Sequence, residues 1–113
     1  MTQDKTPHRG DVWWVNFEPS LGGETKKIRP AVVISNDFAN RRMNRVQVVP
    51  ITSNIERLYP SEAYVTLRGQ QRKATADQLS TVSKLRLKEF IARVSYAELA
   101  AIERAILLQL GLQ

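Results

Sequence analysis

The chain has 113 residues, 42% hydrophobic and 25% charged, which is the composition of a soluble globular domain with its own core, so we expect a single domain over residues 1–113. It contains no cysteine, which excludes disulfides and thiolate metal sites and fits a reducing cytoplasm. Seventeen Lys and Arg against eleven Asp and Glu give a net charge of +6, which favours a polyanionic partner.

Histidine and carboxylate content excludes further classes of site. The single histidine, His8, precludes a two-histidine acid–base nuclease, and no group of Asp, Glu and His has metal-ligand spacing. No apolar run approaches the roughly 18 residues of a membrane span. The polar segment 1–9 is expected to be a flexible tail and not a signal peptide. We therefore expect a cytoplasmic protein with no metal, no cofactor and no membrane association.

The first predicted strand covers residues 11–18, where Val12, Trp14 and Phe17 alternate with polar residues. Its tryptophans are more typical of a core or an interface than of a base-stacking platform. A long segment rich in Gly and Pro follows at 19–27, and such connections tend to be functional or mobile. It lacks the Gly-Lys-Ser/Thr ending of a nucleotide-binding P-loop.

Residues 31–34 form a continuous apolar run, which predicts a strand buried on both faces. Pro30 precedes this run, and a proline holds the residue before it in an extended conformation. Arg29 should therefore lie at the mouth of a core strand, where a guanidinium can bind a phosphate bidentately. The alternative is a surface arginine that merely flanks the strand.

Another strand is predicted at 46–51, after a turn or single helical turn within 36–45. Pro50 indicates that this strand lies at a sheet edge or that the proline is near the strand end. Thr52, Ser53 and Asn54 follow directly. Their small polar side chains would either hydrogen-bond a ligand or cap the turn.

The remaining elements are short, except the last. We predict strands at 63–67 and 90–94, a strand within 73–82 centred on 77–82, a hairpin-like turn at 68–71 and a helical turn at 83–87. The final helix begins with a capping box, Ser95 and Glu98, and ends at Gly111. Its wide apolar face predicts burial against the sheet and against a second subunit. Short strands closed by one helix predict a small barrel.

Taken together, the ordered elements resemble the MazF/PemK family of toxin endoribonucleases from bacterial toxin–antitoxin pairs. The resemblance covers residues 9–112 and rests on five segments in order: Arg9-Gly10-Asp11-Val12-Trp13, Gly22-Gly23-Glu24, 29–35 (RPAVVIS), 49–53 (VPITS) and 77–82 (DQLSTV). Two departures from many relatives are Ser80, where Arg or Lys is frequent, and the Lys26-Lys27 pair. The RNA sequence that is recognised therefore cannot be transferred from a relative.

The resemblance implies an α+β, mainly β fold: a small SH3-like β-barrel of the CcdB/PemK type with a C-terminal helix, assembled as a homodimer. It implies metal-independent cleavage of single-stranded RNA, by attack of the 2′-hydroxyl, to 2′,3′-cyclic phosphate and 5′-hydroxyl ends. Its catalytic pair maps onto Arg29 and Thr52, and Glu24 is a candidate base or positioning group. The expected RNA-binding residues are Lys26, Lys27, Ser53, Asn54, Arg57, Asp77 and Gln78.

Two other functions remain open from the sequence. On the same fold, a non-enzymatic toxin of the CcdB type would poison DNA gyrase, with binding carried by the apolar end of the last helix. A simple SH3-like nucleic-acid-binding module would need only the basic charge. If the chain is a nuclease of cellular RNA, an acidic antitoxin should cover its basic surface by coupled folding and binding.

Overall fold

The computed structural model describes residues 6–17 and 28–113, and the predicted site residues Glu24, Lys26 and Lys27 lie outside these ranges. The described part contains two helices, two short 3-10 turns (Ala76–Gln78 and Lys84–Arg86) and seven strands. The strands are β1 Asp11–Asn16, β2 Ile28–Val33, β3 Arg45–Thr52, β4 Glu62–Leu67, β5 Gln70–Thr75, β6 Ser80–Ser83 and β7 Leu87–Arg93, and the helices are α1 Asp37–Arg42 and α2 Tyr96–Gln109.

All strand pairs are antiparallel and follow the order β4-β5-β3-β2-β1-β7, with β6 paired to the first half of β3. The strongly curved sheet forms a half-barrel, and α2 packs against it through β4. This confirms the predicted mainly β architecture with a C-terminal helix.

Alternation along the strands produces a hydrophobic core on each face of the sheet. One core contains Val12, Val32, Val49, Val65 and, from α2, the fully buried Ile102. The other core consists of Trp13, Val15, Ala31, Val33, Val46, Val48 and Val82. Strand β2 contributes to both cores, which agrees with the continuous apolar run at 31–34.

Both predicted ends of α2 are confirmed. The Ser95 side chain accepts a hydrogen bond from the Glu98 backbone N–H (3.1 Å), and Glu98 accepts one from the Ser95 N–H (2.9 Å). The other Glu98 oxygen accepts from the Thr66 N–H of β4 (2.7 Å), which anchors the helix start to the sheet. At the far end Gly111 has a φ of +71°, and its N–H donates to the Leu108 carbonyl, the arrangement of a Schellman motif.

The strand predicted within 73–82 is wrong in its centre. Residues 76–78 form a 3-10 turn, because the Ala76 N–H donates to Ser61 O (2.9 Å) and the Leu79 N–H returns to Ala76 O. The strands lie on either side of this turn. The hairpin before β5 is confirmed, but its turn consists only of Arg68 and Gly69, both with positive φ, as in a type I′ turn.

Pro50 does not occupy an edge strand, since β3 is paired on both sides. On one side Pro50 lies opposite Ala31 of β2. On the other side the partner changes here, from β6, whose pairing stops at Val48, to β5, whose pairing starts at Ile51. The proline, which has no N–H to donate, therefore lies at a gap in the neighbouring strand.

The predicted tail at 1–9 is corrected for its last residues, whereas residues 1–5 lie outside the described ranges. Pro7 is buried, and the Arg9 backbone N–H donates to Asp37 of α1 (2.8 Å). The Arg9 guanidinium donates to Ile34 O and forms an ion pair with Glu103 of α2 (2.7 Å). Arg9 thus links two helices, a tertiary role without a local sequence signal. No helix within 6–17 and 28–113 is long and apolar enough to cross a membrane.

Candidate active site

Arg29 and Thr52, predicted as a catalytic pair, line one open groove of about 390 Å³. The groove lies at the end of the half-barrel where β2 begins and β3 ends. Its lining residues are Trp14, Ile28, Arg29, Pro30, Ile51, Thr52, Ser53 and Arg72. None of these side chains is a carboxylate, so in the described part of the chain the groove has a purely cationic wall.

The strand register explains why the two residues meet. Ala31 of β2 lies opposite Pro50 of β3. Two residues further along each strand, Arg29 and Thr52 occupy the corresponding positions, and side chains two apart in a strand share a face. Arg29 is also fixed from its other side, where it lies opposite Val15 of β1.

The Thr52 hydroxyl has a local partner as well. Its oxygen accepts a hydrogen bond from the Asn54 backbone N–H (3.2 Å), which leaves the hydroxyl proton available for donation. Asn54 in turn accepts from the Glu56 N–H (3.3 Å). The Asn54 side chain therefore caps the turn. Thr52 caps the turn and also lines the groove, and Ser53 lines the groove beside it.

The loop that follows Thr52, residues 53–61, folds over a row of three side chains. Thr52 lies opposite Lys73 of β5, and Lys73 lies opposite Tyr64 of β4. The Lys73 ammonium, only 6% exposed, donates to the carbonyl oxygen of Arg57 (2.5 Å) and to Glu62 (2.8 Å). The Tyr64 hydroxyl donates to Ile55 O (3.3 Å). Lys73 and Tyr64 thus fix the loop beside the groove.

Glu62 completes this attachment. It also accepts from the Tyr59 N–H (2.9 Å), and the Glu62 N–H donates back to Tyr59 O. Burial alone would raise the pKa of Glu62, but the hydrogen bonds from Lys73 and from the Tyr59 backbone outweigh burial and lower it. Glu62 is therefore held as a carboxylate that pairs with the buried Lys73.

The other predicted RNA-binding residues of the described ranges lie outside the lining of this groove. Arg57 is exposed on the loop, with its guanidinium 5.8 Å from the Tyr59 ring centre. Asp77 and Gln78 are exposed on the 3-10 turn and do not line the groove. Among residues 6–17 and 28–113, no three His, Asp or Glu side chains gather as metal ligands.

Sequence reasoning missed Arg72, which lines the groove together with Arg29. Arg72 belongs to β5, which begins at Gln70, whereas the predicted strand began three residues later, at Lys73. It shares a strand face with the buried Ala74, so it continues the core-facing side of β5 beyond the core. The alternation from Gln70 to Ala74 was the only signal that could have revealed it.

Comparison with known proteins identifies the family. A family model of PemK-like, MazF-like toxins of type II toxin–antitoxin systems matches residues 8–110. The endoribonuclease MazF9 of Mycobacterium tuberculosis is 42% identical to this chain, covering 92% of it and 96% of the relative. MazF of Deinococcus radiodurans superposes with a TM-score of 0.82 at 29% identity, over 96% of this chain and 99% of that one. A mycobacterial endoribonuclease solved with its cognate antitoxin gives 0.78 at 26% identity, over 95% and 97%.

These matches span nearly the whole chain and confirm the predicted family and fold. The half-barrel with its C-terminal helix is the MazF-like fold, and the groove described above lies on it. The chain belongs to the PemK-like, MazF-like toxins of type II toxin–antitoxin systems.

Proposed function

We propose that this toxin is a cytoplasmic endoribonuclease that cuts single-stranded RNA at specific sequences without a metal ion and is neutralised by a cognate antitoxin. The observation that carries the proposal is the meeting of Arg29 and Thr52 in one open, cationic groove. The 42% identity to an endoribonuclease supports the same reaction class.

In the proposed reaction the nucleophile belongs to the substrate. The ribose 2′-oxygen attacks the adjacent phosphorus, the bond from phosphorus to the 5′-oxygen breaks, and one proton passes from the 2′-hydroxyl to the leaving oxygen. The products are a 2′,3′-cyclic phosphate and a 5′-hydroxyl. No Ser or Cys nucleophile is required, and the protein must stabilise the charge on the phosphorane oxygens.

Arg29 and Thr52 suit that task. The guanidinium presents two parallel N–H donors to the non-bridging oxygens, and the Thr52 hydroxyl supplies a third hydrogen bond. Both side chains are on strand ends with fixed backbones, so they are pre-organised for a charge that develops in the transition state. Ser53, Asn54, Arg57, Asp77 and Gln78 are proposed to contact the RNA around this centre.

The reaction also needs a group that accepts the proton of the 2′-hydroxyl. A guanidinium is a poor base, and the described groove lining contains no group that titrates near neutral pH. Glu24, in the glycine-containing segment outside the described residues, is the proposed base or positioning group. Lys26 and Lys27 of the same segment are proposed to contact RNA phosphates.

The antitoxin is proposed to be acidic and to compete with RNA for the same cationic surface. Complementary charge would speed the encounter and make the affinity depend on salt. The mycobacterial relative was solved in complex with its cognate antitoxin, which supports a direct complex here.

The function is tested by incubating the purified toxin with single-stranded RNA in EDTA and mapping the ends of the fragments. Endonucleolytic cuts with 5′-hydroxyl ends support the proposal. Activity that disappears with the chelator and returns with Mg²⁺ contradicts it. Binding without any cut indicates a nucleic-acid-binding module, and inhibition of DNA gyrase with intact RNA indicates a CcdB-type poison.

A further inference from the structure

A second groove, of about 280 Å³, continues from the one that contains Arg29 and Thr52. The two grooves share Trp14, Pro30 and Arg72, so they form one depression across the end of the half-barrel. The second groove is further lined by Leu67, Arg68, Gln70 and Ile91. Its volume is slightly below the roughly 300 Å³ at which drug-sized pockets begin, which suits one nucleotide unit of a longer strand.

The floor of the second groove is apolar and contains one aromatic ring. Trp14 and Leu67 are each two residues beyond a core valine, Val12 and Val65, and therefore share their core-facing side. Leu67 packs against this core, and both side chains line the groove at the end of the half-barrel. Trp14 is partly exposed there, unlike the buried Trp13. A partly exposed indole beside cations can serve as a platform on which single-stranded bases stack.

The wall of the groove carries two arginines. The Arg72 guanidinium is oriented by Gln70 Oε1 (2.7 Å) and by Gln71 O (3.2 Å), which are neutral acceptors. Within residues 6–17 and 28–113, neither Arg68 nor Arg72 forms an ion pair with a carboxylate. The two charges are therefore available to an anionic ligand as far as the described residues are concerned.

The backbone at Arg68 adds an independent observation. Its φ of +52° makes it the one non-glycine residue with positive φ in the described part of the chain. It occupies the first central position of a type I′ turn, where Asn, Asp and Gly are preferred because a larger side chain is strained. Strain retained at a groove is an observation from which function is inferred.

We propose that this second groove is a binding subsite for a nucleotide of the RNA next to the scissile phosphate, with its base on Trp14 and its phosphate held by Arg72 and Arg68. The inference rests on the proposed RNA cleavage and extends it to a second position along the strand. Shape, apolar floor and positive charge all match a single-stranded polyanion, and the groove is continuous with the catalytic one.

Binding without cleavage is the first test. A 2′-O-methyl RNA lacks the attacking hydroxyl and serves as the probe. Arg68→Asn removes the charge and places a preferred residue in the turn, and Arg72→Gln keeps a hydrogen-bonding side chain. Each should weaken binding roughly tenfold at low salt. Each should also make the slope of log affinity against log salt less negative by about 0.7, the value for one lost phosphate contact.

The matched control is Arg45→Gln. It removes the same charge from an exposed arginine at the start of β3, the opposite end of the strand from Thr52. Its affinity and salt slope should stay close to those of the parent protein. Quenching of tryptophan fluorescence by the RNA should be lost in Trp14→Phe, which retains the buried Trp13.

Cleavage of trimmed RNAs then locates the subsite. Oligonucleotides are shortened one nucleotide at a time from each end, and kcat/KM is compared between the parent and Arg68→Asn. On long RNA, kcat/KM of the parent should exceed that of Arg68→Asn several-fold. The ratio of the two values should fall towards 1 once the nucleotide that occupies the subsite is removed. A deficit that persists on every trimmed RNA overturns the proposal, because Arg68 would then act through the fold or the reacting centre.

Two further outcomes also overturn it. In the first, RNA affinity is unchanged in both arginine variants. In the second, the variants bind RNA normally but bind an acidic antitoxin peptide more weakly, which would assign the groove to a protein partner. A parent protein that neither binds nor cuts RNA would refute the proposed function itself. The binding measurement on the parent protein distinguishes this result from one in which only the subsite proposal is wrong.

Discussion

The Arg29 guanidinium reaches the groove because two neighbours constrain its backbone. Pro30 follows it and excludes the helical region, and Val15 lies opposite it across the ladder between β1 and β2. Thr52 is constrained differently, by its own hydrogen bond from Asn54 and by Lys73 on the next strand. At the residue scale the site is thus held by backbone geometry, with both side chains ending strands and outside the core.

If Arg29 and Thr52 are the catalytic pair, removing either side chain should abolish most of the activity and leave the fold intact. We expect Arg29→Ala and Thr52→Ala to lower kcat/KM by about 10²–10³, the usual effect of losing a transition-state donor. Arg29→Lys should also be poor, since an ammonium lacks the planar fork. Cleavage rates and thermal midpoints would be measured together. Full activity in either alanine variant would refute the assignment, and Arg45→Lys is the control for a surface change of the same kind.

At this scale the sequence predicted residues whose chemistry is visible locally. Pro30 beside Arg29 and the apolar strand before Thr52 drew attention to both residues but left their roles open, and the resemblance to the MazF/PemK family is what implied a catalytic pair. Arg68 and Arg72 were missed because the groove that they line is completed by residues of β1, β2 and β7, which are distant in the sequence. The burial of Lys73 was equally invisible, since its partners, Arg57 and Glu62, are more than ten positions away in the chain.

At the scale of elements, the loop 53–61 is the segment whose position depends most on side chains. It has no regular structure, yet Lys73 holds it at Arg57 and Tyr64 holds it at Ile55. The loop carries proposed RNA contacts, so its placement should influence which RNA sequences are cut. A buried cation attached to a backbone carbonyl fixes the loop in a way that apolar packing alone would not.

Breaking the Lys73–Glu62 pair should destabilise the protein and loosen the loop. Lys73→Met leaves the Glu62 carboxylate without its partner and should cost about 3 kcal/mol of unfolding free energy. The double variant Lys73→Met with Glu62→Leu should recover much of that loss, because apolar pairs often replace buried ion pairs without penalty. It should still cut a broader set of RNA sequences than the parent. Unaltered specificity in a stable double variant would contradict the role of the loop.

The same pair makes stability depend on pH in a definite direction. The pKa of Glu62 is lowered in the folded state, and so is that of Asp37, chiefly by the hydrogen bond from the Arg9 backbone N–H. At pH values between the ordinary and the lowered pKa, the unfolded chain therefore binds more protons than the folded protein. The stabilisation is complete above the ordinary carboxyl pKa of about 4 and is lost as pH falls through the lowered values.

Urea midpoints measured from about pH 7 down to about pH 3 would test this. The midpoint should fall below about pH 5, and the fall should be smaller in Glu62→Gln, which has no carboxylate to titrate. Equal pH dependence in the variant and the parent would show that Glu62 is not a source of the effect.

Elements with local signals were predicted well. Helix α2 carries its own capping box, and β2 is a continuous apolar run, so neither depends on distant contacts for recognition. The turn at 76–78 was mistaken for strand because its hydrogen bond to Ser61 comes from a remote segment. Pro50 was interpreted as a sign of an edge strand or of a strand end. It lies two residues before the end of β3, and the edge alternative failed because a change of partner strand leaves no mark in the sequence.

At the scale of the whole molecule, the described part of the chain exposes a large apolar surface at two places, the end of α2 and the edge strand β7. Leu108, Leu110 and Leu112 at the end of α2 are exposed by 48%, 53% and 68%. Phe90, on the edge strand β7, is 47% exposed and packs edge-on against Trp13, with ring centres 6.0 Å apart. Exposed apolar patches of this kind mark interaction sites in soluble proteins.

We predict that the toxin is a homodimer with isologous contacts that bury part of this surface. Sedimentation at micromolar concentration should give twice the mass of the chain. Leu110→Glu should shift the equilibrium towards monomer, whereas Leu58→Glu, on the loop 53–61, should not. A monomeric parent at that concentration would contradict the prediction.

Attack of the substrate's own 2′-hydroxyl on the phosphate held by Arg29 and Thr52 can be tested with one modified oligonucleotide. A cleaved RNA is resynthesised with a single 2′-deoxy nucleotide on the 5′ side of the scissile phosphate and incubated with the toxin in EDTA. We expect the all-RNA strand to yield 2′,3′-cyclic phosphate and 5′-hydroxyl ends and the modified strand to stay intact at that position. Cleavage of the modified strand, or 5′-phosphate ends from the unmodified one, would contradict it.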